Sequence, residues 1–539
     1  MLNYILYISL IHLVFGYADF EHKLTNVDNQ YFNVDNNVMT DDIESNSIYE
    51  MINDYVDLQD TIWLRTGAGI SFIYFSDSSN PLFKSINHDY LPEGGSPSFI
   101  INNNMMAISG ATSIYQNDRY RPMGTGISWS TDKGQSWDYI DQPIDDINES
   151  YILSGWGDQD TSGVYLDSLR FKAITTQIYN VTYDLEESNG YIYATSFAGG
   201  LRRFNYTINQ PYWELVPLPM DNQSELLCNQ IDITDYEYDP VDPPIGNDNH
   251  KAFSIFIDDN YIWVGTGDGI NKGVINTDNN CIDWFHYNED DGMGDRWVIG
   301  IRNQKTEILD RLWAISWDPS LNRAIPHNLS YTDDHGLSWN FISFFKDIGA
   351  IVYDLNFDGD DVYASTDLGL YRTYNGNVDL WFKYHIEDSN GQTMMTDKIY
   401  SSNINLINEQ SILWAGSPDG LFYSYDEGFS WEMYRTWNKL DADNKQFSAY
   451  PNPFYIDEGY GAVRIAYNSS ADDNGYLDIF DFSMHHIVTI HDSEIIGDQA
   501  QFIWSGKDKF SREVSNGVYF CRLTLGERVY WTKLMVVHS

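Results

Sequence analysis

One eight-residue pattern, [S/T]-x-D-x-G-x-S-W, occurs three times in this chain and constrains the fold more than any other feature. The copies begin at Ser130, Thr332 and Ser424. In each copy a hydroxyl and an aspartate are spaced to bond turn amides, and a glycine is free to take positive φ. The final tryptophan can pack back beneath the turn. The pattern predicts three self-contained hairpin turns in which these residues are structural: Ser130, Asp132, Gly134, Trp137, Thr332, Asp334, Gly336, Trp339, Ser424, Asp426, Gly428 and Trp431.

A second repeat joins an apolar-aromatic strand to small residues and a glycine-containing turn. Its aromatic or methionine positions are 63, 106, 193, 263, 313, 363 and 414. Four of the six intervals match the roughly 40–50 residues of a propeller blade. The two longer intervals predict insertions within 149–177 and 232–249. The sequence therefore predicts an all-β fold, with a seven-bladed β-propeller over residues 51–437.

Composition agrees with short strands and excludes some partners. Aromatic residues make up 16% of the chain, with 40 Tyr, 27 Phe and 17 Trp, and such residues favour strands. The 79 acidic and 31 basic residues give a net charge of -48. That charge would repel a phosphate backbone, so nucleic acid is not expected as a partner. Three cysteines cannot form a disulfide framework, and one bridge between Cys228 and Cys281 is left open.

The N-terminus has the layout of a secretory signal peptide. An apolar run from Leu2 to Phe15 is followed by small residues at Gly16 and Ala18. We predict a signal peptide over 1–18, and the alternatives are a buried strand or a short membrane anchor. No later stretch reaches transmembrane length, so no transmembrane segment is expected after signal removal. Residues 19–50 are predicted to be a linker or a ring-closing segment, and 438–447 a second linker.

The three turns resemble the Asp-box, or BNR repeat, of sialidase-like and sortilin-like β-propellers, where the box is a structural turn at the outer strands. A sialidase would also need three carboxylate-gripping arginines, a tyrosine–glutamate pair and an F-R-I-P segment. Tyr120-Arg121-Pro122 does not match that segment, and neither does 322–326. Xyloglucan-cleaving Asp-box enzymes instead use two carboxylates and exposed tryptophans. Trp156, Trp297 and Trp317 lie in loop-like contexts, where packing beneath loops is favoured over sugar stacking.

Residues 448–539 alternate apolar strands with Gly, Asn and Asp turns, which predicts a small Ig-like β-sandwich. This stretch resembles the C-terminal sorting domain of the bacterial type IX secretion system, related to the flagellar hook-capping module. Ser511 and the pair Met484-His485 depart from the glycines usual in that family. The alternative is a module that only packs or adheres. The resemblance implies these motif residues: Pro451, Asn452, Pro453, Gly517, Tyr519 and Lys533.

No motif assigns a chemistry to the chain. The sequence has no H-E-x-x-H, nucleophile elbow or phosphate-binding loop, so the catalytic residues are unknown and no cofactor is firmly implied. Acidic clusters at 290–295 and 358–361 suit either turns or structural calcium. The leading hypothesis is a secreted or outer-membrane surface protein of a Gram-negative bacterium. Its propeller would bind an extracellular glycan or protein, and its C-terminal domain would bind the secretion translocon. The alternatives are a polysaccharide-acting glycoside hydrolase or lyase, and an adhesin or assembly scaffold.

Overall fold

The computed structural model is all-β, which confirms the predicted fold class. The chain divides into two compact units, the first made of 1–384 and 399–416 and the second of 385–398 and 417–539. The predicted signal peptide and most of both predicted linkers lie outside the described residues. The structure describes residues 38–40, 43, 45, 47–53, 61–67, 69–75, 81–102, 104–116, 119–145, 152–153, 170–171, 177–228, 248–258, 261–276, 281–317, 327–387, 394, 396–407, 410–435, 447–450, 452–456, 462–468, 475–491, 494–496, 499–526 and 528–538.

The first unit is a succession of antiparallel sheets. The first sheet has β1 (Val38–Thr40), β2 (Ile48–Asn53), β3 (Thr61–Thr66), β4 (Gly69–Phe75) and β5 (Pro81–Asn87), in the order β1-β5-β4-β3-β2. The second has β6 (Phe99–Asn102), β7 (Met105–Gln116), β8 (Arg119–Ser130) and β9 (Asp138–Ile140) in chain order, and β10 (Ile152–Leu153) pairs with β11 (Arg170–Phe171). The third has β12 (Thr182–Ser188), β13 (Tyr191–Ser196), β14 (Gly200–Asn205) and β15 (Glu214–Val216) in chain order.

The remaining sheets of this unit follow the same plan. The fourth has β16 (Glu225–Leu226), β17 (Ala252–Ile257), β18 (Ile262–Thr266), β19 (Gly269–Ile275) and β20 (Ile282–Tyr287), in the order β16-β20-β19-β18-β17. The fifth has β21 (Trp297–Lys305), β22 (Asp310–Trp317), β23 (Asn328–Thr332) and β24 (Asn340–Ile342), followed by the short helix α1 (Phe344–Ile348). The sixth has β25 (Val352–Asp358), β26 (Asp361–Thr366), β27 (Gly369–Arg372) and β28 (Phe382–Lys383), and β29 (Ser401–Ile407) then pairs with β30 (Gln410–Ser417). Two 3-10 helices span Asp248–His250 and Glu289–Asp291.

One edge strand of each sheet lies against the corresponding strand of the next sheet, and we call these strands the inner strands: β2, β6, β12, β17, β21, β25 and β29. The contacts run β2 to β6, β6 to β12, β12 to β17, β17 to β21, β21 to β25, β25 to β29, and β29 back to β2. The last of these contacts is hydrogen-bonded. Asn403 Nδ2 donates to the Met51 carbonyl at 3.2 Å, and Asn53 Nδ2 donates to the Ile404 carbonyl at 3.0 Å. The N-terminal inner strand β2 is therefore held by a strand more than 340 residues later in the chain.

Small residues in the second strand of each sheet have a packing cause. Ala107, Ala194, Ala314 and Ala364 are buried at these positions. Val264 is the equivalent residue in β18, and Gly265 follows it. A Cβ atom at Gly265 would lie 2.5 Å from the carbonyl oxygen of Val298 in the next inner strand, so the neighbouring sheet leaves no room for a side chain there.

The second unit contains the hairpin of β31 (Gly420–Ser424) and β32 (Glu432–Tyr434), followed by two sheets that share one core. Their strands are β33 (Phe447–Tyr450), β34 (Phe454–Tyr455), β35 (Val463–Asn468), β36 (Gly475–Phe480), β37 (His486–Ile490), β38 (Glu494–Ile496), β39 (Gln499–Trp504), β40 (Gly517–Leu525) and β41 (Arg528–Val537). The sheet orders are β33-β35-β39-β38 and β34-β41-β40-β36-β37, and only β34 and β41 pair in parallel. Ile465, Phe502, Leu477 and Leu523, from both sheets, are fully buried in the shared core.

A disulfide joins Cys228 to Cys281, with a Cα–Cα distance of 6.1 Å, so the bridge that the sequence left open is present. Cys228 follows β16 and Cys281 precedes β20, so the bond ties an added edge strand to the outer strand of its sheet. The third cysteine, Cys521, is a free thiol buried in the core of the second unit. In the described part of the chain, no helix is long and apolar enough to cross a bilayer.

Candidate functional site

The first Asp-box forms a closed hydrogen-bond network within eight residues. The amide of Gly134 donates to Ser130 Oγ at 2.8 Å. Asp132 accepts the amide and the hydroxyl of Ser136, at 2.8 and 2.6 Å. Trp137 is 5% exposed and its Nε1 donates to the Gly134 carbonyl at 3.1 Å. The side chains of Ser130, Asp132, Ser136 and Trp137 therefore bond within the box, while the Lys133 amide donates to the Asn104 carbonyl at 3.2 Å.

The second box repeats this network with one difference. Gly336 N donates to Thr332 Oγ1 at 2.8 Å, and Asp334 accepts from Ser338 N at 2.8 Å and from Ser338 Oγ at 2.6 Å. Trp339 is buried, but its Nε1 finds no acceptor among the described residues. The indole here contributes apolar packing only.

The third box, in the second unit, matches the first. Gly428 N donates to Ser424 Oγ at 2.8 Å, and Asp426 accepts from Ser430 N and Oγ at 2.8 and 2.6 Å. Trp431 Nε1 donates to the Gly428 carbonyl at 3.1 Å. The bonds from Ser430 lower the pKa of Asp426 to about 2. A carboxylate held ionised by its own turn is poorly suited to exchange protons with a substrate.

Most of the residues implied by the sorting-domain resemblance gather around the C-terminal strand β41. The Asn452 side chain donates to the Lys533 carbonyl at 2.9 Å and accepts the Met535 amide at 3.0 Å, so it clamps two positions of β41. In the adjacent strand β40, Gly517 lies opposite Val536, and Tyr519 is buried with its hydroxyl on the Ser515 carbonyl. Pro453 is exposed beside Asn452, and Pro451 lies outside the described residues.

An unforeseen cluster of charges joins four of the inner strands. Arg302 in β21 donates through Nε to Asp354 of β25 at 2.8 Å. The fields of Asp184 in β12 and Glu50 in β2 also reach Arg302, so side chains from four sheets converge here. Glu50 in turn accepts Arg65 Nε at 2.9 Å.

The electrostatics of this cluster are dominated by burial. Burial opposes the charge of Arg302, but Asp354, Asp184 and Glu50 outweigh that effect and raise its pKa. Burial, and secondly the charge of Asp184, raise the pKa of Glu186 to about 8. Glu186 is therefore largely protonated at neutral pH. Because it keeps partial contact with solvent, a carboxylic acid in this state could donate a proton.

A local signal could have found part of this cluster. The pairing of inner and second strands shifts by one residue within Ile48–Glu50, Thr182–Asp184 and Val352–Asp354. In each of these bulges a buried tyrosine is followed directly by an acid, and the pairs are Tyr49-Glu50, Tyr183-Asp184 and Tyr353-Asp354. A bulge re-aims the side chains next to it. The repeated Tyr-acid pair therefore marks where carboxylates turn toward the neighbouring inner strand.

A row of aromatic rings runs across the starts of three sheets. Tyr179 lies 6.1 Å from Phe197, Phe197 lies 6.2 Å from Trp297, and Trp297 lies 5.1 Å from Phe253, measured between ring centroids. The Arg121 guanidinium contacts the Tyr179 hydroxyl at one end of the row. Lys251 lies 5.4 Å from the Phe197 ring centroid. We call these six residues the cationic aromatic row.

Two of the tryptophans that the sequence placed in loop-like contexts are instead buried in strands. Trp297 and Trp317 lie in strands β21 and β22, paired with each other, and are 5% and 2% exposed. Both are core residues at the end of a strand, where the neighbouring sequence resembles that of a loop. Trp156 lies outside the described residues, as do nearly all residues of the two predicted insertions.

The acidic clusters proposed for calcium are engaged with protein partners. Asp291 accepts the Asn288 amide at 2.9 Å, and Asp295 pairs with Lys346 at 2.9 Å. Asp361 pairs with Arg372 at 2.7 Å. Among the described residues no three metal-binding side chains converge. Structural calcium is left untested by these contacts.

Comparisons with known proteins identify no family: no family model and no curated protein matches the chain. Similar solved structures include PorZ, a surface component of the type IX secretion system of Porphyromonas gingivalis, at 11% identity and a TM-score of 0.33, covering 89% of this chain and 64% of PorZ. An ancestral GH74 enzyme has 12% identity and a TM-score of 0.46, covering 91% of this chain and 62% of the enzyme. The β-propeller domain of Cps50 (Swd1) from Myceliophteria thermophila has 10% identity and a TM-score of 0.40, covering 70% of this chain and 95% of the domain. The chain thus spans less than two thirds of the length of PorZ and of the GH74 enzyme.

Proposed function

We propose that this chain is an exported, surface-attached or released protein in which a seven-bladed β-propeller binds an extracellular glycan or protein. An Ig-like C-terminal domain would serve as its type IX sorting signal. The residues that carry the proposal are the motif positions around β41. Asn452, Gly517, Tyr519 and Lys533 are separated by up to 81 residues in sequence, yet they share one end of one sheet.

The circuit of inner-strand contacts supports the propeller. Seven inner strands touch in chain order, and β29 returns to β2 through the bonds of Asn403 and Asn53. Radial repetition of this kind leaves only short, protected sheet edges. The Asp-boxes would then be hairpin caps on the outer strands of three blades, because their carboxylates are satisfied within each turn.

The glycine at 517 supports a role for the motif beyond folding. Its backbone is nearly extended, and a Cβ atom built there would meet nothing within 4 Å. The space around it would admit a Cβ atom, but its φ of 159° strains any residue other than glycine. By contrast Tyr519 is buried and bonded, so the fold needs it. An open glycine in the motif suits close approach by another backbone.

Export is tested with the full chain and two single variants. Gly517→Ala should lower the amount that crosses the outer membrane by far more than its backbone strain lowers the melting temperature. Tyr519→Ala should lower both the melting temperature and the exported amount, since it also removes core packing. As a matched control for backbone strain, Gly526→Ala lies in the β40–β41 turn at a φ of 57°, where a Cβ atom also meets nothing, and it should leave export unchanged. Export of a chain ending at Arg435 at the normal level would refute the sorting role.

A glycoside hydrolase or lyase is the second candidate, favoured by the raised pKa of Glu186 beside Asp184. Glycosidases pair a protonated acid with an ionised carboxylate. If the hydrolase hypothesis is correct, Glu186→Gln abolishes polysaccharide cleavage while ligand binding persists. Equal activity in the wild type and the variant would remove the enzyme hypothesis for this pair.

A further inference from the structure

The structure describes seven buried arginines, and six of them have a carboxylate partner. Those six are Arg65, Arg202, Arg203, Arg372, Arg435 and Arg464. The exception is Arg121, which is 9% exposed and has no carboxylate within ion-pairing distance in the described part of the chain. A buried guanidinium without a counter-ion is costly, because burial disfavours an uncompensated charge. This exception is unexpected in a chain of net charge -48.

The hydrogen bonds of Arg121 leave part of its guanidinium without an acceptor. One terminal nitrogen, Nη1, donates to the Tyr179 hydroxyl. The Nε atom is buried and has no hydrogen-bond partner. Nε and a terminal nitrogen form the side edge of the guanidinium, whose two parallel N–H groups match the two oxygens of a carboxylate.

The partner tyrosine is held in a strained conformation. Tyr179 has a φ of 63°, a region that bulky side chains rarely adopt. Its amide donates to the Pro122 carbonyl at 2.8 Å, and its carbonyl accepts the Ala198 amide at 3.1 Å. These two bonds hold the backbone of Tyr179 in place beside Arg121, although its strained φ lowers the stability of the fold.

We propose that Arg121 and Tyr179 bind a carboxylate group of the ligand, with Phe197, the next ring of the cationic aromatic row, contacting the part of the ligand next to that group. The inference rests on the proposed ligand-binding role of the propeller and names the chemistry of its ligand. Half-buried Phe197 follows Tyr179 in the row, with the two ring planes at 66° to each other. Lys251 at that ring adds a second positive charge, which Asp248 partly compensates.

The net charge of the chain predicts an unusual salt dependence for this site. At long range, 48 excess negative charges repel an anion, and salt screens that repulsion. The short contact to a buried guanidinium is screened much less. Binding of a carboxylate should therefore tighten as salt rises from about 0.01 M to about 0.15 M. An anion held by ordinary surface lysines would bind more weakly over the same range.

The test uses the full chain and three small probes. D-glucuronate and acetate carry a carboxylate, and D-glucose is the neutral control for the sugar ring. Binding is followed by saturation-transfer NMR and titration calorimetry. Arg121→Lys keeps the positive charge but loses the two parallel N–H groups of the guanidinium, so it should weaken the binding of glucuronate and acetate about tenfold or more. Arg311→Lys is the matched control, because Arg311 already holds Asp333 at 2.6 Å.

Stability gives a second readout that does not depend on the probe. If Arg121 serves binding, Arg121→Met should leave the melting temperature unchanged or raise it, whereas Arg372→Met should lower it. Sulfate or phosphate binding more tightly than the carboxylates would overturn the assignment to a carboxylate. Carboxylate affinity unchanged in Arg121→Lys would overturn the site. Either result would leave the export proposal intact, since the Gly517 test does not involve this face.

Discussion

Asp419 offers a sharp test of how the second unit is held together. Its carboxylate accepts Arg435 Nη2 at 2.8 Å and Arg464 Nη2 at 2.5 Å, and the three side chains are 2–3% exposed. Arg464 lies in β35 of the sandwich, while Asp419 immediately precedes β31. Two guanidinium groups therefore share one buried carboxylate within this unit.

Removing the Asp419 carboxylate should strongly lower the local stability around β35. Breaking one buried ion pair by deleting a partner costs about 3–5 kcal/mol, and Asp419→Ala removes the carboxylate from two such pairs at once. The local opening equilibrium around β35 should rise by roughly two to three and a half orders of magnitude. Arg464→Met should cost much less, because Asp419 keeps Arg435 and the thioether fills a similar volume.

Hydrogen exchange read by mass spectrometry measures this locally, which suits a chain of two compact units where one global transition is not assured. Peptides covering 462–468 should lose protection in Asp419→Ala. The control is Asp508→Asn, whose partner Arg512 is 72% exposed, and it should leave those peptides unchanged. Unchanged protection in Asp419→Ala would refute the reasoning, since it would mean that the two arginines are satisfied without Asp419.

Three further predictions concern the first unit. Replacing Cys228 and Cys281 by serine removes a disulfide that closes a loop of 53 residues, and it should lower the free energy of unfolding by about 4 kcal/mol. In chemical denaturation, reductant should destabilise the wild type but not the double variant. Gly200→Ala should lower the melting temperature, because its φ is 69° and a Cβ atom would lie 2.4 Å from the His250 ring; an unchanged melting temperature would show that the ring can move. The folded-state pKa of Glu186 is raised to about 8, so its contribution is fully present below about pH 4.5 and is lost as pH rises through 8. Glu186→Gln should therefore stabilise the protein more at pH 9 than at pH 5 in thermal melts, and an equal effect at both values would contradict the raised pKa.

The Asp-boxes could be predicted from sequence because their physics is local. All bonds of Asp132 described above close within four residues, so the spacing of residue types already determines the network. The small residues of the second strands were equally accessible, since alanine follows the aromatic or methionine position in most copies of the repeat. The unpaired Nε1 of Trp339 was not predictable, because the identical spacing in the other boxes supplies that bond.

The charge cluster and the disulfide needed the fold. Arg302 meets Glu50 from a strand some 250 residues away in the chain, and only the circuit of inner strands brings them together. Cys228 reaches Cys281 because β16 adds to the edge of β20, and two-residue strands leave almost no periodicity to detect. Trp297 looked like a loop residue because strand ends next to glycine and acidic residues carry turn-like sequence.

The two charged sites of the first unit differ in what they leave unsatisfied. In the inner-strand cluster Glu50 has Arg65, Asp354 has Arg302, and Glu186 avoids the cost of a buried charge by staying protonated. That cluster is internally compensated, so it stabilises the circuit of strands without a ligand. Arg121 is not compensated by any described carboxylate. A buried charge is retained only where other interactions offset its desolvation. We therefore assign ligand binding to Arg121 and a structural role to the acidic residues of the inner-strand cluster.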